Sequence, residues 1–501
     1  MKPLNNYWYE CLGIILLFAY LAHCFYGFWT GDFWEHAATI KELATNLIHP
    51  KHPLFGIDVP HPFFSPYSLL LSIFMKLSGV SNPINVLAFM GLVNLILFLF
   101  IFRKFLKIFL NMSDALIALS LFLILFMWPL GIYEWSSFFD FEVLFYVLPY
   151  PSTFCFTLTL LVFICYYIYL TTFKNYFFVC IIIFFMVFIL LTHLPTFIWT
   201  LCGLTSITVV IFLFQKKSNI LLLFFVILGS TIFLACLWPY YSIFSLVLAN
   251  NQKFHLDSLI FYYNYKLVIP SLIFFAFCTL CYIIKLFFER NLLYAFNKGE
   301  IIFLVMFFIS LSVYFLGYIF NLYGIGRIIS FIQIISQVLT ANFLYKLLIL
   351  DKKKSLFLIL CLCTILVFSV VKLSQPPLLR AYKFFSGKHY SYNLYMKIAK
   401  YVQHYDIVLA NVKVSWPIPS FSGKIVASLH PTHWINNEIR KKDVSFFFSK
   451  ETSLDERKRI IDKYKVKFVL INKDDYCEDY NNLGKIIFQD LHFVFLKVFK
   501  H

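Results

Sequence analysis

The chain has 501 residues, of which 61% are hydrophobic and 13% charged, with a mean hydropathy of +0.79. Those proportions exclude a string of soluble domains, and 16 Gly and 18 Pro are too few for a collagen-like or disordered chain. The net charge of +17 suggests a nucleic-acid binder until the charges are placed: residues after 375 hold 21 Lys and Arg and 12 Asp and Glu in a quarter of the length. Two regions with different solvents follow, a long apolar one, 1–374, and a polar tail, 375–501. Of the 12 Cys, 11 lie before residue 364, mostly inside apolar runs, so no disulfide framework is implied. The pair Cys278 and Cys281 reads as lipid-buried filler.

Apolar runs of about 17 to 25 residues predict spans near 11–29, 84–102, 115–131, 153–172, 177–192, 196–214, 219–240, 267–288, 300–320, 327–349 and 355–372. The first is too long for a signal-peptide core and lacks a small-residue cleavage site, which predicts a retained helix. Arg103, Lys104 and Lys107, then Lys216 and Lys217, then Lys285, Arg290 and Lys298, and finally Lys352, Lys353 and Lys354 follow spans on one side. Positive residues gather on the cytoplasmic side, so these connections face inward. The loops 30–83 and 132–152 carry acids and face outward. Eleven spans from a cytoplasmic N-terminus put the tail on the outer face. That count depends on reading 177–192 and 196–214 as two helices rather than one broken helix.

The first outer loop contains Gly31-Asp32-Phe33-Trp34-Glu35-His36, then Lys51-His52-Pro53 and His61-Pro62. Ala37, Ile40, Leu43, Ala44 and Leu47 repeat at helical spacing, as do Tyr67, Leu70, Leu71, Phe74 and Met75. Both stretches predict amphipathic helices lying in the membrane interface. Asp32, Glu35 and His36 stand at i, i+3 and i+4 and share one helical face. Two carboxylates and an imidazole beside lipid are costly unless used. They suit a general base that deprotonates a hydroxyl as it attacks an electrophilic carbon. The alternative is a capping box, with Asp32 as N-cap and Glu35 three residues on.

This loop, with an Asp and a following acid and His in an interfacial helix and then His-Pro pairs, resembles the GT-C superfamily of integral-membrane glycosyltransferases, which use polyprenyl-phosphate-linked sugars. The resemblance covers the first 200 residues best. It implies that Asp32 acts as base or binds a metal near the acceptor. Glu35 departs from the directly adjacent acids of some members, which leaves a divalent metal ion an open question.

The second outer loop sets Glu134, Asp140 and Glu142 among five aromatics. Ring faces stack on sugar C–H surfaces while carboxylates accept hydroxyl hydrogen bonds; the alternative is an interfacial aromatic belt with solvated acids. The resemblance adds weight to the three acids, because superfamily members also carry a second acid-bearing loop beside the active site. His193, in a turn at 192–196, is either a satisfied interface histidine or a ligand. Arg327, after Tyr323-Gly324-Ile325-Gly326, is placed to hold a phosphate or to anchor in the interface. His61 joins the substrate-binding candidates.

In the tail, 391–404 and 453–464 read as helices, the second opened by a capping box between Ser453 and Glu456. Asp406–Val412, Lys424–Ser428, Lys467–Ile471 and His492–Val498 read as strands, giving a small mixed α/β domain with its own core. The strings 415–420 and 430–434 read as structural loops rather than a site. The fold class is thus an α-helical polytopic membrane protein with a C-terminal α/β domain. The expected function is inverting hexosyl or pentosyl transfer from a polyprenyl-phosphate donor to an outer-face glycan, lipid or protein, with Asp32 as base, Glu35 and His36 supporting it, and Arg327 on the leaving phosphate. The expected partners are that donor, the acceptor and the lipid bilayer, with no nucleic acid, in a bacterial inner membrane. The rival readings are a transporter or lipid flippase, and a non-catalytic assembly subunit.

Overall fold

The computed structural model describes residues 7–128, 139–248, 296–350 and 391–499, apart from 142, 173, 323–324 and 430–433, together with 276, 279–280, 383 and 386–387. The chain forms two compact units. One comprises Met1–Phe28, Ala88–Trp238 and His255–His389; the other comprises Trp29–Leu87, Pro239–Phe254 and Tyr390–His501.

The first unit is a helical bundle. Its long helices are α1 (Trp8–Tyr26), α4 (Pro83–Leu110), α7 (Pro151–Thr171), α9 (Leu194–Gln215), α10 (Asn219–Cys236), α12 (Lys298–Ile319) and α13 (Ile329–Leu350), the last led in by a 3-10 turn at Ile325–Ile328. Among the described residues seven helices are long and apolar enough to cross a membrane, and two shorter apolar helices join them, α5 (Asp114–Phe126) and α8 (Tyr176–Thr192). Backbone polar groups have no water to turn to in a bilayer, so such runs fold as helices. The expected span at 267–288, apart from 276 and 279–280, and the one at 355–372 lie outside the described residues.

Named contacts fix the helix directions. Tyr9 donates to the Leu99 carbonyl at 2.5 Å and Tyr20 to that of Ala88 at 2.9 Å, so α1 and α4 are antiparallel. Gly91 makes room for this: a Cβ there would lie 1.9 Å from the Tyr20 hydroxyl. Thr159 meets Thr200 at 2.7 Å and Tyr166 meets Thr208 at 2.8 Å, so α7 and α9 are parallel. Phe154 packs on Phe188, which makes α8 antiparallel to α7. Helices α8 and α9 therefore form a hairpin that reverses at the extended residue His193, and one broken helix is excluded.

Charges collect at one end of this bundle. Arg103 pairs with Glu10 at 2.9 Å and Asp114 at 2.7 Å, and Lys107 with Asp114 at 2.9 Å. Phe105 and Phe109 pack against Phe303, which brings the start of α12 to that same end. There buried Glu300 closes a capping box with Asn297 and binds Asn342 and Lys346. Lys298 sits over the Phe214 ring near the end of α9. The basic residues used to orient the sequence thus share one end where they are described.

The second unit joins the first loop to the tail. Its sheet has strands β1 (Ile407–Ala410), β2 (Lys424–Ile425), β3 (Val466–Asn472), β4 (Gly484–Gln489) and β5 (Phe493–Val498) in the order β2-β1-β3-β5-β4. β1 pairs in parallel with β2 and β3, and β5 antiparallel with β3 and β4. Side chains alternate across the strands. Val469 and Ile471 point into a core built with Val444 and Phe447 of one helix, Asn437–Phe447, and Ile460 and Ile461 of another, Leu454–Tyr464. Ser453 and Glu456 close the expected capping box. Phe468, Leu470 and Phe495 face the other way, and there Ala38, Leu54 and Phe55 of the first loop complete the core. Leu54 also gives its carbonyl to the Ile425 N–H at 2.8 Å, on the edge strand.

Candidate active site

The second helix, α2 (Phe33–Thr45), is buried along almost its whole surface, from Phe33 through Ile40 and again at Glu42 and Leu43. It is a core helix of its unit, not the half-exposed interfacial helix its spacing suggests, because protein rather than lipid covers its far side. Helix α3 (Pro66–Ser78) packs on α2 and does keep an apolar exposed row, Leu70, Ile73, Phe74 and Leu77.

Asp32 stands at the N-cap position of α2 with helical backbone angles, and its side chain makes no capping hydrogen bond. A capping box is thereby excluded at this end. Glu35 turns elsewhere: its Oε1 lies 3.0 Å from His61 Nε2, and both side chains are buried. The Phe63 N–H donates to His61 Nδ1 at 3.2 Å. With Nδ1 occupied as an acceptor, the ring proton sits on Nε2 and is donated to Glu35. The His61 tautomer is thus fixed by its own loop.

His36 stacks on Phe63 with ring centroids 4.4 Å apart. Burial pushes its pKa down to about 4, against the opposing pull of Asp32 and Glu35. The imidazole is neutral at pH 7, so beside the acids it is a polar ring and not a cation. His52 meets His61 edge-on at 4.5 Å and stacks on Phe55 at 4.6 Å. The Leu54 N–H donates to its Nδ1 at 3.3 Å, and burial holds its pKa well below the usual histidine value. Asp32, Glu35, His36 and His61 are therefore brought together, with His52 as a neighbour that sequence spacing gave no reason to single out.

Glu42, two turns along α2 from Glu35, is a further acid of the first outer loop. It is fully buried and binds Lys424 Nζ at 2.6 Å, His404 Nε2 at 2.8 Å and the Tyr405 hydroxyl at 3.0 Å. The Lys51 N–H donates to it at 2.9 Å. These donors hold its carboxyl down at about 2 although burial opposes ionisation. Removing one member of such a buried pair costs about 3–5 kcal/mol. Its three side-chain partners lie more than 360 residues away, so no local signal announces them.

The remaining candidates belong to the helical unit. Glu134 and Glu142 lie outside the described residues. Asp140 is buried and its carbonyl accepts from Leu144 N–H at 2.8 Å. His193 caps α9: its Nδ1 lies 2.7 Å from Thr196 Oγ1 and accepts from the Thr196 N–H. Arg327 stands half-buried in the 3-10 turn that opens α13. Phe139, Phe156, Trp199 and Phe331 stack in series at 4.7, 5.3 and 4.7 Å. This column joins the Asp140 segment to the starts of α7, α9 and α13, at the end of the bundle away from the ion pairs. In the tail, the string 415–420, expected as a loop, falls in two short helices, Val412–Ser415 and Ile418–Phe421, with Trp416 buried between them and Ser420 donating to the Trp34 carbonyl; 430–433 lie outside the described residues.

Among the described residues no three His, Cys, Asp or Glu side chains converge as a metal site. Both His61 nitrogens are engaged, and a cation on Asp32 and Glu35 would need further ligands.

No protein-family model matches the sequence, and neither does any curated protein. Solved structures do match. The oligosaccharyltransferase of Archaeoglobus fulgidus in its apo form superposes with a TM-score of 0.51 at 11% identity, over 93% of this chain and 70% of that one. The same enzyme tethered to an acceptor peptide containing the NVT sequon gives 0.50 at 12% identity, over 93% and 69%. Its complex with Zn and sulfate gives 0.50 at 13% identity, over 91% and 68%. At such identity the likeness is one of fold, and it runs through both the helical bundle and the C-terminal sheet. The chain therefore has the fold of the Archaeoglobus fulgidus oligosaccharyltransferase.

Proposed function

We propose that this protein transfers a glycan from a polyprenyl-phosphate-linked donor to an acceptor on the outer face of the membrane, with Asp32 as general base. The observation that carries the reading is a buried acid and histidine group at the first turn of α2, in a chain with the fold of an oligosaccharyltransferase. Glu35 Oε1 is already engaged by His61 at 3.0 Å, and that supports Asp32 over Glu35 as the base.

In the proposed step an acceptor heteroatom attacks the anomeric carbon, and its bond to that carbon forms as the bond to the phosphate oxygen breaks. The electron pair leaves with the phosphate, and the acceptor proton passes to Asp32. A single displacement of this kind inverts the anomeric centre. Glu35, held by His61, and neutral His36 shape the surroundings of the base. Arg327 is the residue we assign to the departing phosphate, and Asp140 with the aromatic column to sugar contacts; Glu134 and Glu142 stay with the same role. The neighbour's acceptor is a sequon peptide, which makes a peptide the first acceptor to try.

The charged end of the bundle supports an inward-facing N-terminus, and hence an outward-facing tail in a bacterial inner membrane. Incubating the purified protein with radiolabelled polyprenyl-phosphate sugars and a panel of peptide, glycan and lipid acceptors tests the reading. Label in an acceptor supports it, and donor binding without transfer under all conditions contradicts it.

A further inference from the structure

The tail grips α2 at both ends. At the first turn, Ser420 Oγ donates to the Trp34 carbonyl at 2.8 Å, and the Trp34 ring packs edge-on against Tyr392 at 5.1 Å. Tyr392 in turn accepts from the Trp29 N–H at 2.8 Å, just before the helix. Toward the last turn, Lys424, His404 and Tyr405 close on Glu42, and Lys41 reaches the Phe421 carbonyl. Lys424 is 1% exposed and also donates to the Pro53 carbonyl at 2.9 Å, so one ammonium ties α2 to the loop that follows it. Between the two grips Ala38 lies in the core under the sheet.

A helix that carries reacting groups needs its axial position and its rotation held, because small displacements of a catalytic side chain cost large factors in rate. One anchor at each end fixes both. Among its described residues the tail holds no metal-ligating cluster, while its sheet leaves one apolar face to be finished by the first loop. We infer that the C-terminal segment is the positioning element for α2, with Lys424 acting through Glu42 and Ser420 acting through the Trp34 carbonyl to hold Asp32, Glu35 and His36 in place. The consequence for transfer rests on the function proposed above; the positioning itself does not.

The test uses the full chain in nanodiscs and reads hydrogen exchange and transfer in Lys424→Met, Ser420→Ala and Lys424→Arg. Backbone amides of 36–45 exchange at least tenfold faster in Lys424→Met, while those of Leu454–Tyr464, on the opposite face of the sheet, change less than twofold. Ser420→Ala, a milder change, raises exchange in the first turns of α2 alone. Lys424→Arg restores protection. In the transfer assay Lys424→Met lowers kcat about tenfold with KM for the donor within twofold, and Lys424→Arg recovers it. Unchanged exchange in α2, or a rise shared equally by Leu454–Tyr464, overturns the inference. If the wild type transfers nothing, the proposed function fails while the exchange data still decide this point.

Discussion

His61 donates its Nε2 proton to Glu35 Oε1 across 3.0 Å, and the Phe63 N–H at His61 Nδ1 leaves the ring no other tautomer. The bond is neutral imidazole to carboxyl, made between groups 26 residues apart. Its content is geometric: a buried acceptor with a fixed donor. Glu35→Gln keeps an oxygen for that proton, whereas Glu35→Ala leaves His61 with a buried unsatisfied donor, at about 1–3 kcal/mol. Thermal unfolding in detergent should therefore show Glu35→Gln close to wild type and Glu35→Ala lower by several degrees. Equal midpoints for the two would remove the bond from the account.

Acid should destabilise the second unit. His36, His52 and His404 all have folded pKa values below the unfolded value, each chiefly through burial. For a depressed base the unfolded chain binds more protons between the two values, so stability is complete above pH about 6.5 and falls as pH drops below it. His36, with a folded value of about 4, accounts for on the order of 3 kcal/mol once pH reaches 4. Glu42, depressed to about 2, adds a further loss as pH falls from the ordinary carboxyl range toward 2. Unfolding midpoints between pH 7.5 and 5 should fall in the wild type and fall less steeply in His36→Phe. Parallel curves would contradict the burial of a neutral His36.

Much of the bundle could be read locally, because a run of 17 to 25 apolar residues needs no distant partner to define it. The Ser453 and Glu456 box was legible for the same reason: both its hydrogen bonds close within one turn. The shared face of Asp32, Glu35 and His36 followed from helical spacing, and the alternative of a capping box at Asp32 does not form, since His61 draws the Glu35 side chain away. The covering of α2 was not legible at all. Ala38, Leu54 and Phe55 meet Phe468 and Phe495 only in the folded chain, and Lys424 finds Glu42 across 382 positions. The helix Asn437–Phe447 and the strand Gly484–Gln489 were also missed. The helix shows only sparse apolar positions, and the strand lies at the sheet edge with mostly half-exposed side chains, so neither gives a strong period.

His193 separates two roles cleanly. As the cap of α9 it accepts the Thr196 N–H, a bond that Asn can also accept. His193→Ala should lower stability by about 1 kcal/mol, and His193→Asn should restore most of it. Transfer by His193→Asn then distinguishes a cap, which keeps the rate, from a substrate ligand, which loses it. Stability identical in wild type and His193→Ala would contradict the capping role.

Asp32→Asn tests the base assignment, because it removes the proton-accepting carboxylate while keeping the size of the side chain. The decisive measurement is the single-turnover rate of label transfer from a polyprenyl-phosphate sugar to acceptor by wild type and Asp32→Asn, at matched unfolding midpoints. Loss of a general base costs typically 10²–10⁴ in rate. The account predicts a fall of at least a hundredfold in Asp32→Asn in protein that remains folded. Transfer at the wild-type rate by a folded Asp32→Asn protein would contradict it.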